Sequence, residues 1–193
     1  MNNLLLLEIS ATILGLIYLL LLIKENIWCW FFGAFSSLIS VVLFYESMLY
    51  SEAILYTFYI FMAGYGYFIW RKGRDGIELP ITDILFPRQI KYVIAGLIMG
   101  VVLGFGMDRY TEADLPFVDA QTTSFSFIAT FLEAHKVVFG WIIWIVVNGS
   151  TIVLYGYKDL YFYAGLMVIY LVLSVYGYID WKKKLRVLNQ RID

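Results

Sequence analysis

The chain has 193 residues, 62% of them apolar and only 15% charged, with a formal net charge of −1 and a mean hydropathy of +0.78. Soluble domains carry about 45–50% apolar and about 25% charged residues, so this composition excludes an ordinary soluble fold and makes the lipid bilayer the first partner. A single cysteine, Cys29, and a single histidine, His135, exclude an internal disulfide and most Cys- or His-rich metal centres.

A hydrocarbon core about 30 Å thick takes roughly 20 apolar residues per helix. By that measure a first helix runs over about 4–23, a second over about 27–45 and a third over about 50–70. The fourth covers about 90–107. The fifth, about 120–134, is the least hydrophobic, with Gln121, Thr122, Thr123, Ser124, Ser126 and Thr130. The sixth runs over about 137–156 and the seventh over about 160–181. The first stretch lacks a basic leader and a small-residue cleavage site, so it reads as a true span and not a signal peptide. The predicted class is an all-α membrane protein with seven transmembrane helices.

The chain nearly repeats itself. Shifted by 111, residues 8–72 match residues 119–183 at 16 of 65 positions, with Trp30 on Trp141 and Tyr65-Gly66-Tyr67-x-x-Trp70 on Tyr176-Gly177-Tyr178-x-x-Trp181. Three helices, an unpaired fourth and three more helices follow, a 3+1+3 plan. Expected boundaries are 1–73 for the first repeat, 74–112 for a loop with the linker helix, and 113–193 for the second repeat with a basic tail. Of the basic residues, 12 fall on one side (Lys24, Arg71, Lys72, Arg74, Arg88, Lys91, Lys136, Lys182, Lys183, Lys184, Arg186 and Arg191) and 2 on the other (Arg109 and Lys158). The positive-inside rule makes the larger group cytoplasmic. The N-terminus is then outside and the C-terminus inside, with an external acidic loop carrying Asp108, Glu112, Asp114 and Asp119. An odd linker between two triplets makes the repeats parallel, and internal repeats of this kind point to transporters.

Polar groups inside a bilayer mark functional sites by default. On the sixth helix Trp141, Trp144, Asn148 and Thr151 share a sector of about 80°. Two indoles and a carboxamide can form a pocket with flat apolar walls and a polar anchor. Trp141 also suits an interfacial aromatic belt, and Asn148 a helix–helix hydrogen bond. The matching face of the second helix carries Trp30, Gly33, Ser37 and Ser40, small where the other is large. That contrast leaves room for an asymmetrically placed ligand, with Ser37 lining it, though small residues equally permit close packing. The third helix aligns Glu52, Tyr56, Tyr59, Ala63 and Gly66; the seventh aligns Tyr163, Met167, Tyr170, Ser174 and Gly177. Glu52 near the external mouth can attract a cation towards the tyrosine rings, or simply reach water or cap its helix. Glu133 and His135 read as solvated interfacial groups. Gly33, Gly64, Gly66, Gly149 and Gly177 are places for close helix approach or bending.

The run Trp141-x-x-Trp144-x-x-x-Asn148 resembles the WxxWxxxN signature of the PnuC family of bacterial vitamin transporters. The resemblance extends to Phe31-Phe32-Gly33, to Leu49-Tyr50-Ser51 and to Tyr65-Gly66-x-x-x-Trp70, and so covers nearly the whole chain. It implies a SWEET-like architecture in the inner membrane, with nicotinamide riboside as the usual substrate and a trimer as the possible assembly. It also implies facilitated diffusion, made one-way by phosphorylation of the substrate inside the cell. Trp141, Trp144 and Asn148 are the residues it assigns to the substrate, and Ser37, Glu52, Tyr56, Tyr59 and Tyr170 complete the expected site. The chain departs from riboside carriers in having Tyr56 in place of Gln, Ala63 in place of Asn and Ser36 in place of Asn. Thiamine-carrying relatives make thiamine the alternative; both vitamins hold a cationic aromatic ring.

Other classes fit less well. No HExxH, GxSxG or Cys/His pair suggests an enzyme, no polar pore lining recurs in both halves, and neither a cofactor nor a nucleic-acid partner is expected. Proton coupling through Glu8 or Glu52 and a non-transporting scaffold are the remaining alternatives.

Overall fold

The structure, a computed structural model, describes residues 2–46, 50–73, 78–111, 115–157, 159 and 161–190. Leu49, Arg74, Glu112, Asp114, Lys158 and Arg191, named above, lie outside the described residues. Seven helices follow in order: α1 (Asn2–Ile23), α2 (Cys29–Glu46), α3 (Tyr50–Lys72), α4 (Phe86–Tyr110), α5 (Pro116–Ala134), α6 (Phe139–Tyr157) and α7 (Tyr161–Asn189). The expected helices are all present. α7 runs beyond its expected end, where the chain turns polar and Lys184 pairs with Asp180 one turn earlier at 2.8 Å. Six helices are long and apolar enough to cross a membrane, and α5 is the one that is not.

The described residues divide into two compact units, 1–80 and 81–193. In the first, α2 packs against both α1 and α3. In the second, α6 packs against α5 and α7, and α4 lies along α5. Helix four is thus joined by packing to the second triplet.

The 111-residue offset reappears in the backbone. At the end of α1, Asn26 N–H donates to Leu21 O and Glu25 N–H to Leu22 O, both at 2.9 Å; at the end of α5, Val137 donates to Leu132 and Lys136 to Glu133, also at 2.9 Å. Each is a Schellman ending, which needs a residue in the left-handed region at its turning point. Glu25 (φ 57°) and Lys136 (φ 51°) occupy it, at a cost of about 1–2 kcal/mol for a residue with a Cβ. The second turn is also clasped from outside. Thr82 N–H donates to Lys136 O and Val138 N–H to Thr82 O, each at 2.9 Å, so the strand-like leader of α4 lies across the α5–α6 corner.

Side-chain packing repeats in the same register. Trp30 is buried against Gly66 and meets Trp70 edge-on at 5.4 Å and 85°; Trp141 is buried against Gly177 and meets Trp181 at 5.4 Å and 90°. The glycines let the indoles lie on helix backbone, which small residues at membrane interfaces permit. The five glycines expected to permit close approach thus separate: a side chain on Gly33, Gly66 or Gly177 would collide with a ring, whereas Gly64 and Gly149 face open space.

How α5 is housed explains its polarity. Four of its five hydroxyls are satisfied within the protein: Ser124 donates to Gly96 O of α4 at 2.7 Å, while Thr122, Ser126 and Thr130 donate to carbonyls of their own helix. α4 approaches closely through Gly96, Gly100 and Gly104, whose faces are filled by Phe125, Gln121 and Phe117. The other side of α4 exposes Leu97, Ile98, Val101, Val102 and Phe105, as a lipid-facing surface should. Replacing Ser124 by alanine removes the hydroxyl bond from α5 to α4 and should cost about 0.6 kcal/mol. A lowering of the detergent-solubilised unfolding midpoint by a degree or two would show it; a loss of several degrees would mean that the bond anchors more than its own pair.

Candidate functional site

The predicted residues fall into two sets. On the second unit, α6 and α7 bring together Asn148, Ser174 and Tyr170. Asn148 is 6% exposed, and its Nδ2 donates to Ser174 Oγ at 3.1 Å. Ser174, itself 2% exposed, donates to the Tyr170 carbonyl at 2.8 Å. The helix–helix bond anticipated for Asn148 is therefore present, and it uses only one edge of the carboxamide.

Trp144 sits one turn before Asn148, half-buried, packed on a cluster of Ile128, Ala129, Leu132, Val137, Phe139, Ile143 and Val147. That apolar bed supports the indole and leaves part of it uncovered. Trp141 differs. It is 0% exposed and held between Gly177 and Trp181, so in this structure it supports the helix pair from behind. Its Nε1 and that of Trp30 are buried and make no hydrogen bond, which leaves packing as the observed role of both rings. Thr151, the last member of the stripe, spends its hydroxyl on Val147 O of its own helix at 2.9 Å.

On the first unit, Ser37 is buried on α2 at 5% exposure. Tyr56 and Tyr59 of α3 meet edge-on at 5.5 Å, and Phe44 of α2 lies 5.2 Å from Tyr56, inclined by 32°. Glu52 stands half-buried in the first turn of α3, where a carboxylate complements the helix N-terminus. The first unit thus offers an aromatic cluster with a carboxylate one turn away along the same helix.

Two expectations need correction. Gly33 leaves no room for a ligand: a Cβ there would lie 2.8 Å from Tyr18 Cδ2, because the ring of Tyr18 on α1 already fills the space. The aromatic has changed helix between the triplets. Tyr18 faces Gly33 in one, and at the matching positions Trp144 packs on the cluster containing Ala129 in the other. Glu133 is not a solvated group either. It is 1% exposed, in the register of Leu22, which is 0% exposed. The repeat itself carried that signal, since Glu133 aligns with a core leucine. His135 is partly exposed and rests on Phe131 at 4.4 Å. Ser174 was recognisable only as a stripe position, because its importance depends on a bond across two helices.

Chemically, these groups can stack a flat ring, attract positive charge and exchange hydrogen bonds with an amide or hydroxyl. The faces that carry the predicted residues hold no lysine or arginine.

The sequence profile of the family described as nicotinamide mononucleotide transporter matches residues 5–183. The chain is 23% identical over 180 residues to the nicotinamide riboside transporter PnuC of Escherichia coli, covering 80% of this chain and 75% of that protein. It is 29% identical over 187 residues to the protein of the same name from Neisseria mucosa, covering 90% and 70%. A crystal structure of the vitamin B3 transporter PnuC superimposes with a TM-score of 0.77 at 26% identity, covering 93% of this chain and 82% of that one.

Proposed function

The chain belongs to the nicotinamide mononucleotide transporter family, and on that premise we propose that it carries nicotinamide riboside, unphosphorylated, across the inner membrane. The observation that carries this reading is the charge of the candidate faces. Trp144, Asn148, Tyr56, Tyr59, Tyr170 and Glu52 provide rings, one carboxamide and one carboxylate, with no basic side chain among them. A cationic pyridinium is attracted to such a surface by the ring quadrupoles, each contact contributing about 0.5–2 kcal/mol. A phosphate dianion has no partner there, which disfavours the mononucleotide. In this proposal Ser37 is the small polar contact of the first unit, and Trp141 supports the α6–α7 pair that carries Trp144 and Asn148.

In this proposal, transport is facilitated diffusion by alternating access, one helix triplet rocking against the other. Phosphorylation of the riboside inside the cell makes uptake one-way. The N-terminus is outside and the C-terminus cytoplasmic, as the 12-to-2 distribution of basic residues favours. The family resemblance further suggests a trimer. One observation favours a second reading: the Tyr56–Tyr59–Phe44 cluster presents rings where riboside carriers have an amide, and thiamine also holds a cationic ring.

Calorimetric titration of the detergent-purified protein with nicotinamide riboside, its mononucleotide, thiamine and riboflavin decides between them. Saturable binding of the riboside and no heat from the mononucleotide is the expected result. Binding of thiamine alone would transfer the assignment to thiamine, and tight mononucleotide binding would refute the charge argument.

A further inference from the structure

The Asn148–Ser174–Tyr170 chain fixes more than a contact. A carbonyl can only accept a hydrogen bond, so the hydroxyl proton of Ser174 is committed to the Tyr170 carbonyl at 2.8 Å. What remains on Ser174 towards Asn148 is lone pairs. The carboxamide must therefore turn its donor edge to Ser174, as the 3.1 Å bond from Nδ2 records. A flipped amide would place Oδ1 against an oxygen with no proton left to give, a repulsive contact between two buried side chains. Among the described residues this is the only hydrogen bond of the Asn148 side chain, so Oδ1 is the edge left for other partners.

We infer that Ser174 is a positioning residue that locks the Asn148 carboxamide with its acceptor, Oδ1, presented to the ligand, and so selects ligands carrying an N–H or O–H donor at that point. The inference rests on the reading of Asn148 as a substrate contact. The class selected is a ring bearing a carboxamide or an exocyclic amine. A ring bearing a carboxylate at the same place would meet oxygen with oxygen and be rejected. The first unit has no such lock at the equivalent place. At the matching positions of the first unit stand Ser37 and Ala63, and alanine has no hydroxyl with which to orient anything.

The test compares nicotinamide riboside with its carboxylate counterpart, nicotinic acid riboside, on the full-length protein in detergent. The wild type should favour the amide by more than about tenfold, because a site built around a hydrogen bond discriminates strongly against an analogue that cannot complete it. Ser174→Ala frees the carboxamide to flip and offer Nδ2 to the carboxylate. The ratio of the two affinities should then fall about tenfold towards one, while nicotinamide riboside itself still binds. A merely structural serine would lower both affinities together and leave the ratio where it was, and that result would overturn the assignment. Should the alanine variant aggregate, Ser174→Cys replaces it, similar in shape but a weaker acceptor, with the same two outcomes. Wild-type protein that binds neither compound would defeat the underlying riboside reading along with this one. An unchanged ratio in a variant that still binds nicotinamide riboside defeats only the role given to Ser174.

Discussion

Trp144→Ala should lower the affinity for nicotinamide riboside roughly thirty- to several-hundredfold while the purified protein remains folded and monodisperse. The ring is half-buried, so its removal deprives a ligand of a stacking surface without opening a sealed cavity in the core. Aromatic anchors in binding sites commonly contribute about 2–4 kcal/mol, and each 1.4 kcal/mol is about tenfold in affinity. Asn148→Ala should cost about 1–3 kcal/mol of binding by leaving a ligand donor unpaired, a loss of roughly five- to a hundredfold. The two differ in stability. Asn148→Ala also breaks the bond to Ser174 across α6 and α7, so its unfolding midpoint should fall slightly, whereas that of Trp144→Ala should move less than its binding. Calorimetry and fluorescence-detected size exclusion on the same preparations give both quantities. Unchanged affinity in both variants would remove the site from this face of α6.

Gly177→Ala should destabilise the protein, and Gly64→Ala should not. A Cβ on Gly177 would lie 2.7–2.8 Å from three atoms of the Trp141 indole, which is itself wedged by Trp181 and has no exposed edge through which to withdraw. Overpacking of this kind costs about 1–3 kcal/mol. At Gly64 nothing lies within 4 Å of the added methyl, and the helix gains up to about 1 kcal/mol from the exchange of glycine for alanine. Opposite signs are therefore expected from the same chemical change on helices in matching positions. Gly66→Ala should behave like Gly177→Ala, because its methyl would collide with Trp30. If the three variants melted together, the indole–glycine contacts would not be holding either triplet.

Six of the seven helices were plain in the sequence because spanning a bilayer imposes length and hydropathy on each of them separately. The register of the repeat was legible as well: Trp30 with Trp141 and the shared YGYxxW ending mark the two indole–glycine–indole contacts. The roles of those residues were harder to see. A tryptophan that appears at the same place in both halves is packed on a glycine and a second indole in each. Trp144 and Asn148, which the first half replaces by Gly33 and Ser37, are where the two faces differ. Glu133 reads as solvated from its neighbours His135 and Lys136, yet the helix end turns it inward to the position of Leu22. α5 reads as weakly apolar, yet four of its hydroxyls are answered by Gly96 and by its own carbonyls. Those answers are distances through space, invisible to hydropathy. The same holds for Gly33, whose apparent vacancy is closed by a ring 15 residues earlier in the chain.

That ring sets a condition on rebuilding the molecule. In each triplet one aromatic belongs to the gap between the flanking and the middle helix: Tyr18 supplies it from outside in the first, Trp144 from the middle in the second. Transplanting the second face onto α2 by Gly33→Trp alone would drive an indole into Tyr18, and Tyr18→Ala alone would hollow the gap. Only the paired exchange conserves volume. Ownership of one ring thus acts as a two-position selector for each triplet. An indole and a carboxamide can stand one turn apart on the same strip only where the middle helix owns it, which leaves Ser37 beside a glycine and Asn148 beside a tryptophan.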